Sequence, residues 1–211
     1  MSGRRKGFGG FEFSRPVFPS ALSFSYDPVA SMQTNSADRN AMLVIFAGLP
    51  GTGKTSIARD LARELGAVYL RIDSIEQAIL ASSASRWTRE DTGYRVAYSV
   101  AGDNLRLGRT VIADSVNPLR ITRDAWRDVA QRANAAAVEI EITCSDYGQH
   151  RDRVETRVAD NPAARLPTWQ EVASRQYEVW NRDPIVIDTA SQSISESVQQ
   201  LREALRVALE P

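Results

Sequence analysis

Residues 48–55 read Gly-Leu-Pro-Gly-Thr-Gly-Lys-Thr, which matches the pattern G-x-x-x-x-G-K-[ST] at every fixed position. The apolar run MLVIFAG precedes this loop at 42–48, and a stretch of helical periodicity follows it at 54–65. Glycines allow backbone conformations in which successive N–H groups point inward at phosphate oxygens, and the helix adds its positive dipole end. We therefore predict a phosphate-binding loop, the P-loop, between a strand and a helix.

Two side chains of the P-loop have predicted chemical roles. We expect the Lys54 ammonium to bridge the β- and γ-phosphates of a nucleotide and to act in catalysis, and the Thr55 hydroxyl to ligate Mg²⁺. Lys6 and Lys54 are the only lysines of the chain, so a lysine stands here where the rest of the domain uses arginine. The predicted nucleotide-binding residues are Gly48, Leu49, Pro50, Gly51, Thr52, Gly53, Lys54, Thr55 and Ser56.

Apolar runs alternate with amphipathic stretches from Met42 onward, a pattern typical of a parallel sheet that is covered by helices on both faces. We predict one three-layer α/β/α domain with five strands, at 42–48, 67–72, 110–113, 137–143 and 185–188. Helices are predicted at 54–65, 74–81, 93–107, 119–133, 146–159, 168–181 and 193–208.

Residues 1–41 differ in composition from the predicted domain at 42–211, because they are rich in Gly, Ser and Pro and hold five of the six phenylalanines. We interpret them as a poorly ordered tail. Two explanations stay open for this tail: a leader without a structural role, or an aromatic arm that docks on a partner subunit or on the domain itself.

Composition argues against several function classes. The 26 basic and 26 acidic residues balance, so no global field attracts nucleic acid or an anionic membrane. Cys144 and His150 are each the only residue of their type, which excludes an internal disulfide and His-based triads. No apolar run approaches a membrane span, and no secretory signal is visible, so we expect a cytoplasmic protein. We expect His150 at the surface.

Two aspartates follow predicted strands, at the edge of the sheet where α/β proteins bind ligands. Asp73 is a candidate general base that takes the proton of an acceptor hydroxyl; alternatively it is the N-cap of a helix, with Glu76 completing a capping box. Asp114 is a candidate Mg²⁺ ligand; alternatively it is a turn residue before Pro118.

Arg153 and Arg157 follow the fourth predicted strand and are four residues apart, so we expect them on one helix face. We interpret 146–165 as a helical lid whose arginines neutralise charge on a transferred phosphoryl group. The alternative is a solvated helix face in which Asp152 and Glu155 pair with these arginines.

Together, the segments GLPGTGKT, RIDSIEQAI, VIADSVNP and HRDRVETR resemble the small-kinase branch of the P-loop superfamily. That branch includes chloramphenicol phosphotransferase, gluconate and shikimate kinases, zeta toxins and polynucleotide kinase. The resemblance covers about residue 42 to the end. It implies Mg-ATP as the phosphoryl donor, a base at Asp73, and a lid that carries Arg153 and Arg157. Val116 stands where the D-x-T-N segment of polynucleotide kinases has Thr, which argues against a nucleic-acid 5′-hydroxyl as acceptor.

We therefore expect an ATP-dependent kinase that phosphorylates a hydroxyl of a small molecule. Two alternatives remain: a kinase of nucleotides or nucleic-acid ends, and a nucleotide-dependent regulatory module without phosphotransfer. No N-K-x-D signature for guanine is present, which favours ATP. Neither nucleic acid nor a membrane is expected as a partner, and a homodimer stays open.

Overall fold

The computed structural model describes residues 41–82, 91–159 and 165–209. Residues 1–40 of the predicted tail lie outside these ranges. The strands are β1 (Met42–Ala47), β2 (Val68–Arg71), β3 (Val111–Asp114), β4 (Ala136–Thr143) and β5 (Ile185–Asp188). The helices are α1 (Lys54–Leu65), α2 (Ile72–Ala81), α3 (Thr92–Arg106), α4 (Arg120–Arg132), α5 (Tyr147–Thr156), α6 (Trp169–Ala173) and α7 (Ile194–Leu209).

The five strands form one sheet in the order β2-β3-β1-β4-β5, and every neighbouring pair is parallel. This confirms the predicted α/β fold with a five-stranded parallel sheet. After β1 the chain crosses to the β2 edge, and it later returns to β4 on the other side of β1. The P-loop leaves the carboxyl end of β1, which is the kind of position where such sheets bind ligands.

The central strand explains why its sequence is continuously apolar. Leu43 and Ile45 point into one layer of the core, whereas Val44 and Phe46 point into the other, and all four are fully buried. A strand that is covered on both faces needs no polar positions.

Helices cover both faces of the sheet. On one face, α1 and α7 pack through apolar side chains such as Ile57, Leu61 and Leu201. On the other face, α3 and α4 contribute Leu105 and Trp126, among others. Within the described ranges, no helix is long and apolar enough to cross a membrane.

A third and smaller cluster lies beside the P-loop. Val154 of α5 and Trp169 and Val172 of α6 pack together, and Leu49 of the P-loop packs against them. The two short helices α5 and α6 are therefore attached to the loop that the sequence predicts to bind phosphate.

The sixth predicted helix is much shorter in the structure. The pattern predicted 168–181, but α6 ends at Ala173. Beyond it, the Glu178 amide donates to the Pro118 carbonyl at 2.8 Å, and the ring of Trp180 packs on the guanidinium of Arg123 at 4.0 Å. These contacts use backbone and side chains that a continued helix would have turned elsewhere, so tertiary packing overrides the local helical pattern.

Candidate active site at the carboxyl edge of the sheet

Two glycines of the P-loop are required by its backbone path. Gly48 has φ of 131°, and a Cβ there would lie 2.2 Å from the Ile142 carbonyl oxygen. Gly51 has φ of 87°, and a Cβ there would lie 2.5 Å from a methyl of Val154. Gly53 is the N-cap of α1 and supplies no side-chain cap, so the first N–H groups of the helix are left for an anion.

Lys54 is the first residue of α1 and is only 7% exposed. Its Nζ donates to the Leu49 carbonyl at 3.2 Å, inside the loop. Burial lowers the pKa of Lys54, whereas the nearby carboxylates of Asp114 and Asp73 oppose that shift. A triphosphate in the loop would also favour the charged ammonium, because an anion close by stabilises it.

Asp114 is the last residue of β3 and is 3% exposed. It lies beside Phe46 in the register of β3 with β1, and the Tyr69 hydroxyl donates to its Oδ2 at 2.6 Å. Burial, followed by the Asp114 charge, raises the pKa of Tyr69, so the phenol stays a donor to this carboxylate. The carboxylate is thus held next to the start of the P-loop.

The donor set at this edge fits Mg²⁺. Thr55 is partly exposed at the second position of α1, and Asp114 offers a buried carboxylate near Lys54. Mg²⁺ usually keeps several waters and takes one or two protein oxygens plus substrate phosphates. Among the described residues no cage of three or more His, Cys, Asp or Glu side chains forms, and a magnesium–nucleotide site does not require one.

Asp73 is not the N-cap of α2, so the capping-box alternative is wrong. β2 runs directly into α2, the N-cap is Arg71, and no side chain caps this helix end. Asp73 lies in the first turn, where its half-exposed carboxylate is 3.5 Å from Arg71 Nη2. Because Arg71 pairs with Asp114 in the register of β2 with β3, both acids lie at the same edge of the sheet.

Three charged side chains for which the sequence analysis predicted no role in catalysis or binding lie around Asp73 and Arg157. Burial, followed by Asp73, raises the pKa of Glu76, and Arg175 acts in the opposite direction. Arg71 contacts Asp73 directly. Arg71 and Glu76 both lie in the segment RIDSIEQAI, which could have indicated them, whereas the sequence around Arg175 carries no comparable signal.

Arg157 follows the last residue of α5 as its C-cap, with an extended ψ of 145°. Burial lowers its pKa, while Asp73 raises it and the positive charges of Arg71 and Arg175 lower it further. Its Nε is buried and has no hydrogen-bond partner within the described part of the chain. The charge of Arg157 therefore lies close enough to Asp73 and Lys54 to influence both.

Arg153 has different partners from Arg157. Its Nη1 donates to Thr189 Oγ1 at 2.8 Å, and its Nη2 donates to the Thr189 carbonyl at 3.0 Å. The Thr189 hydroxyl lies 2.9 Å from the Thr52 carbonyl of the P-loop and 2.9 Å from the Thr143 carbonyl, and its single proton is donated to one of the two at a time. Arg153 thus ties α5 to the residue after β5, and a catalytic role for it stays a prediction.

His150 is buried, so its predicted surface position is wrong. It is 7% exposed, its Nε2 donates to the Pro50 carbonyl at 2.9 Å, and its ring meets Trp169 edge to face. His150 and Val154 are four residues apart on the face of α5 that packs against the P-loop. The polar composition of α5 hid this short buried face from sequence reasoning.

Comparisons with known proteins identify relatives of the chain. A family model described as an AAA domain matches residues 43–178. The chain is 29% identical over 194 residues to a shikimate kinase from Frankia casuarinae, covering 85% of this chain and 79% of that protein. It is 27% identical over 174 residues to an adenylyl-sulfate kinase from Synechococcus sp., covering 80% of this chain and 96% of that protein.

Among solved structures, the fold is similar to APS kinase CysC of Mycobacterium tuberculosis in complex with AMPPNP and APS. The TM-score is 0.59 at 23% identity, over 79% of this chain and 98% of that chain. At this identity the likeness shows the fold alone.

Proposed function

Because this chain belongs to the AAA domain family over residues 43–178 and has the fold of a P-loop kinase, we propose that it transfers the γ-phosphoryl group of ATP to a hydroxyl of a small molecule. One observation carries the proposal. The buried ammonium of Lys54 lies close to the carboxylates of Asp114 and Asp73, at the carboxyl edge of the sheet.

The P-loop and Asp114 would hold the nucleotide with its magnesium ion. Backbone N–H groups at the start of α1 and the Lys54 ammonium suit the phosphates, and Thr55 with Asp114 would hold Mg²⁺. When bound, that ion neutralises charge on the phosphates and helps to align them. The solved APS kinase with AMPPNP, an ATP analogue, supports ATP as the nucleotide.

Asp73 would act on the acceptor. Its carboxylate is half exposed, so a hydroxyl from solvent can approach it, and a γ-phosphate bound by Lys54 would lie close to it because the Asp73 charge acts on Lys54. In this role the carboxylate takes the hydroxyl proton as the oxygen attacks phosphorus. Arg157 would stabilise charge on the transferred group, since its guanidinium lies near both residues.

Kinase relatives support the small-molecule acceptor. Both curated relatives are named as kinases of small molecules, adenylyl sulfate and shikimate. The narrower resemblance to zeta toxins and chloramphenicol phosphotransferase adds to this proposal only through the sequence motifs quoted above. The proposed acceptor is a small compound that carries a hydroxyl group.

A panel of acceptors tests the proposal. The purified chain is mixed with Mg-ATP and with small hydroxyl compounds that are neutral, carboxylated, phosphorylated or sulfated, and with 5′-hydroxyl oligonucleotides. We expect ADP release that depends on one class of small acceptor and is absent in Lys54→Ala. ATP binding without phosphotransfer to any acceptor would favour a regulatory module, and transfer to the oligonucleotide would favour a polynucleotide kinase.

A further inference from the structure

Arg123 of α4 is a fully buried arginine without a carboxylate partner among the described residues. Its Nε donates to the Asn117 carbonyl at 2.8 Å, and its Nη2 to the Pro118 carbonyl at 3.3 Å. Its guanidinium carbon lies 4.0 Å from the ring centroid of Trp180 and 4.9 Å from that of Tyr177. The positive charge is therefore held by two carbonyl dipoles and two aromatic faces.

Burying a charged guanidinium costs free energy unless hydrogen bonds or an opposite charge compensate the lost hydration. The burial of Arg123 therefore needs a physical explanation. Lysine would not satisfy it, because a compact ammonium can neither stack on two rings nor direct a planar fork at two carbonyls. The Nη1 atom has no hydrogen-bond partner in the described part of the chain, so the compensation is incomplete. An apolar side chain would fill this space at a lower desolvation cost.

The backbone that Arg123 holds belongs to the proposed nucleotide site. Asn117 adopts a left-handed conformation with φ of 44°, which is uncommon among non-glycine residues but which asparagine tolerates better than most. Its Nδ2 donates to the Phe46 carbonyl at 2.8 Å, and the Gly48 amide donates to the Val116 carbonyl at 3.1 Å. The turn that directly follows Asp114 is thus joined to the end of β1 and to the first residue of the P-loop.

The two rings come from the segment that replaces the predicted end of the sixth helix. This segment is held to the same turn, because the Glu178 amide donates to the Pro118 carbonyl at 2.8 Å. A carboxylate oxygen of Glu178 also accepts from the Arg120 amide at 2.6 Å. Arg123 therefore lies between the turn at 115–118 and the segment that contains Tyr177 and Trp180, and it contacts both.

We propose that Arg123 is a positioning residue of the nucleotide site: clamped between Tyr177 and Trp180, it fixes the turn at 115–118 and thereby the placement of the Asp114 carboxylate for Mg²⁺. The inference rests on the proposed function in one respect, namely that Asp114 serves a magnesium–nucleotide complex. It predicts that losing the clamp weakens the use of Mg²⁺ more than it weakens the binding of the nucleotide itself.

The test measures AMP-PNP binding by calorimetry over a series of Mg²⁺ concentrations and also without Mg²⁺. In Arg123→Lys we expect a rise of about 10- to 100-fold in the Mg²⁺ concentration at which the enhancement of AMP-PNP binding is half-maximal. This is the usual range when a group that orients a metal ligand is lost. The affinity for AMP-PNP without Mg²⁺ should change by less than about 3-fold. A general loss of structure would instead weaken nucleotide binding with and without Mg²⁺.

Two other variants calibrate this result. Arg127→Lys changes an arginine on the same helix that pairs with Glu139 at 3.3 Å, and it should behave like the wild type. Asp114→Asn removes the proposed ligand itself and should shift the Mg²⁺ requirement at least as far as Arg123→Lys.

The outcomes separate the inference from the proposed function. A shift in Asp114→Asn with none in a folded Arg123→Lys overturns the positioning role and leaves the kinase proposal standing. No shift in either variant overturns the magnesium assignment and the inference together. If Arg123→Lys does not fold, Trp180→Leu decides: an increased Mg²⁺ requirement supports the clamp, and an unchanged one overturns it.

Discussion

The P-loop has two neighbouring regions that differ in how completely their polar groups are satisfied. On the side of α5, the Pro50 carbonyl accepts from His150, and the Thr52 carbonyl lies 2.9 Å from the hydroxyl of Thr189, which Arg153 holds. Towards α2, Asp73 is half exposed and Arg157 keeps a buried Nε without a hydrogen-bond partner in the described ranges. The first region is already assembled, whereas the second retains charged groups that a ligand could satisfy.

This difference indicates how the proposed reaction is divided over the molecule. A preassembled phosphate loop avoids reorganisation when the nucleotide binds. Charged groups that stay partly exposed can meet an acceptor and the transferred phosphoryl group during the reaction itself. Substitutions in the two regions should consequently affect different measurements: stability on the α5 side, and turnover on the α2 side.

The largest effect is expected at Lys54, where the two regions meet. Lys54→Ala should lower phosphotransfer by about 10³-fold or more, because it removes the cation on the transferred phosphate. The fold should survive, since burial already disfavours this charge and lowers its pKa. Acceptor-dependent ADP release and a thermal melt check both statements, and wild-type turnover in the folded variant would remove the kinase proposal.

Asp73→Asn should have the next largest effect. We expect kcat to fall about 10²- to 10⁴-fold, the usual contribution of a general base, with little change in ATP affinity. Asp60→Asn is a suitable control, because Asp60 is a partly exposed aspartate that pairs with Arg63 on α1. An equal loss of ATP binding in Asp73→Asn would reassign this residue to magnesium binding or to structure.

Arg157→Ala tests the unsatisfied region directly. We expect kcat to fall about 10²- to 10³-fold with ATP affinity nearly unchanged, because its charge would act mainly on the transition state. Arg157→Lys should rescue only part of this loss, since an ammonium cannot make the two parallel hydrogen bonds of a guanidinium. Steady-state kinetics and ATP-binding measurements check that kcat falls while the ATP affinity is kept. Full activity in Arg157→Ala would show that this arginine takes no part in the reaction.

Arg153→Ala tests the assembled region and should affect turnover least. Losing its two hydrogen bonds to Thr189 should lower the free energy of unfolding by about 1–3 kcal/mol. The kcat should fall by less than in Arg157→Ala, because both terminal nitrogens of Arg153 already donate to Thr189. Urea denaturation measures the first effect, and a loss of kcat equal to that of Arg157→Ala in a fully stable variant would contradict this comparison.

The sequence predicted the sheet well because a buried strand shows as a run of consecutive apolar residues. The run at 42–48 predicted a strand that is covered on both faces, and β1 is buried on both. The helix predicted at 168–181 was wrong beyond Ala173. The rings of Tyr177 and Trp180 pack on the guanidinium of Arg123, which is distant in the sequence.

The candidate site was predictable in part. Lys54 was selected from its motif, Asp73 and Asp114 from the ends of strands, and Arg157 from its place after the fourth strand. In the structure the charges of Asp73, Asp114 and Arg157 all act on Lys54. Arg123 was missed, because one arginine among many on an amphipathic helix looks like a surface residue. The lid predicted at 146–165 stays a prediction: α5 is docked on the P-loop, and 160–164 lie outside the described residues.

The phosphate loop and the class of fold could both be predicted without a structure, because glycine spacing and apolar periodicity act over a few neighbouring residues. The hydrogen-bond partner of each polar side chain, in contrast, depends on how the whole chain packs. His150 and the Pro50 carbonyl are 100 residues apart in the chain, and Arg153 and Thr189 are 36 apart. Hydrogen bonds form only within narrow limits of distance and angle, and no local pattern records which distant groups the packing brings within them.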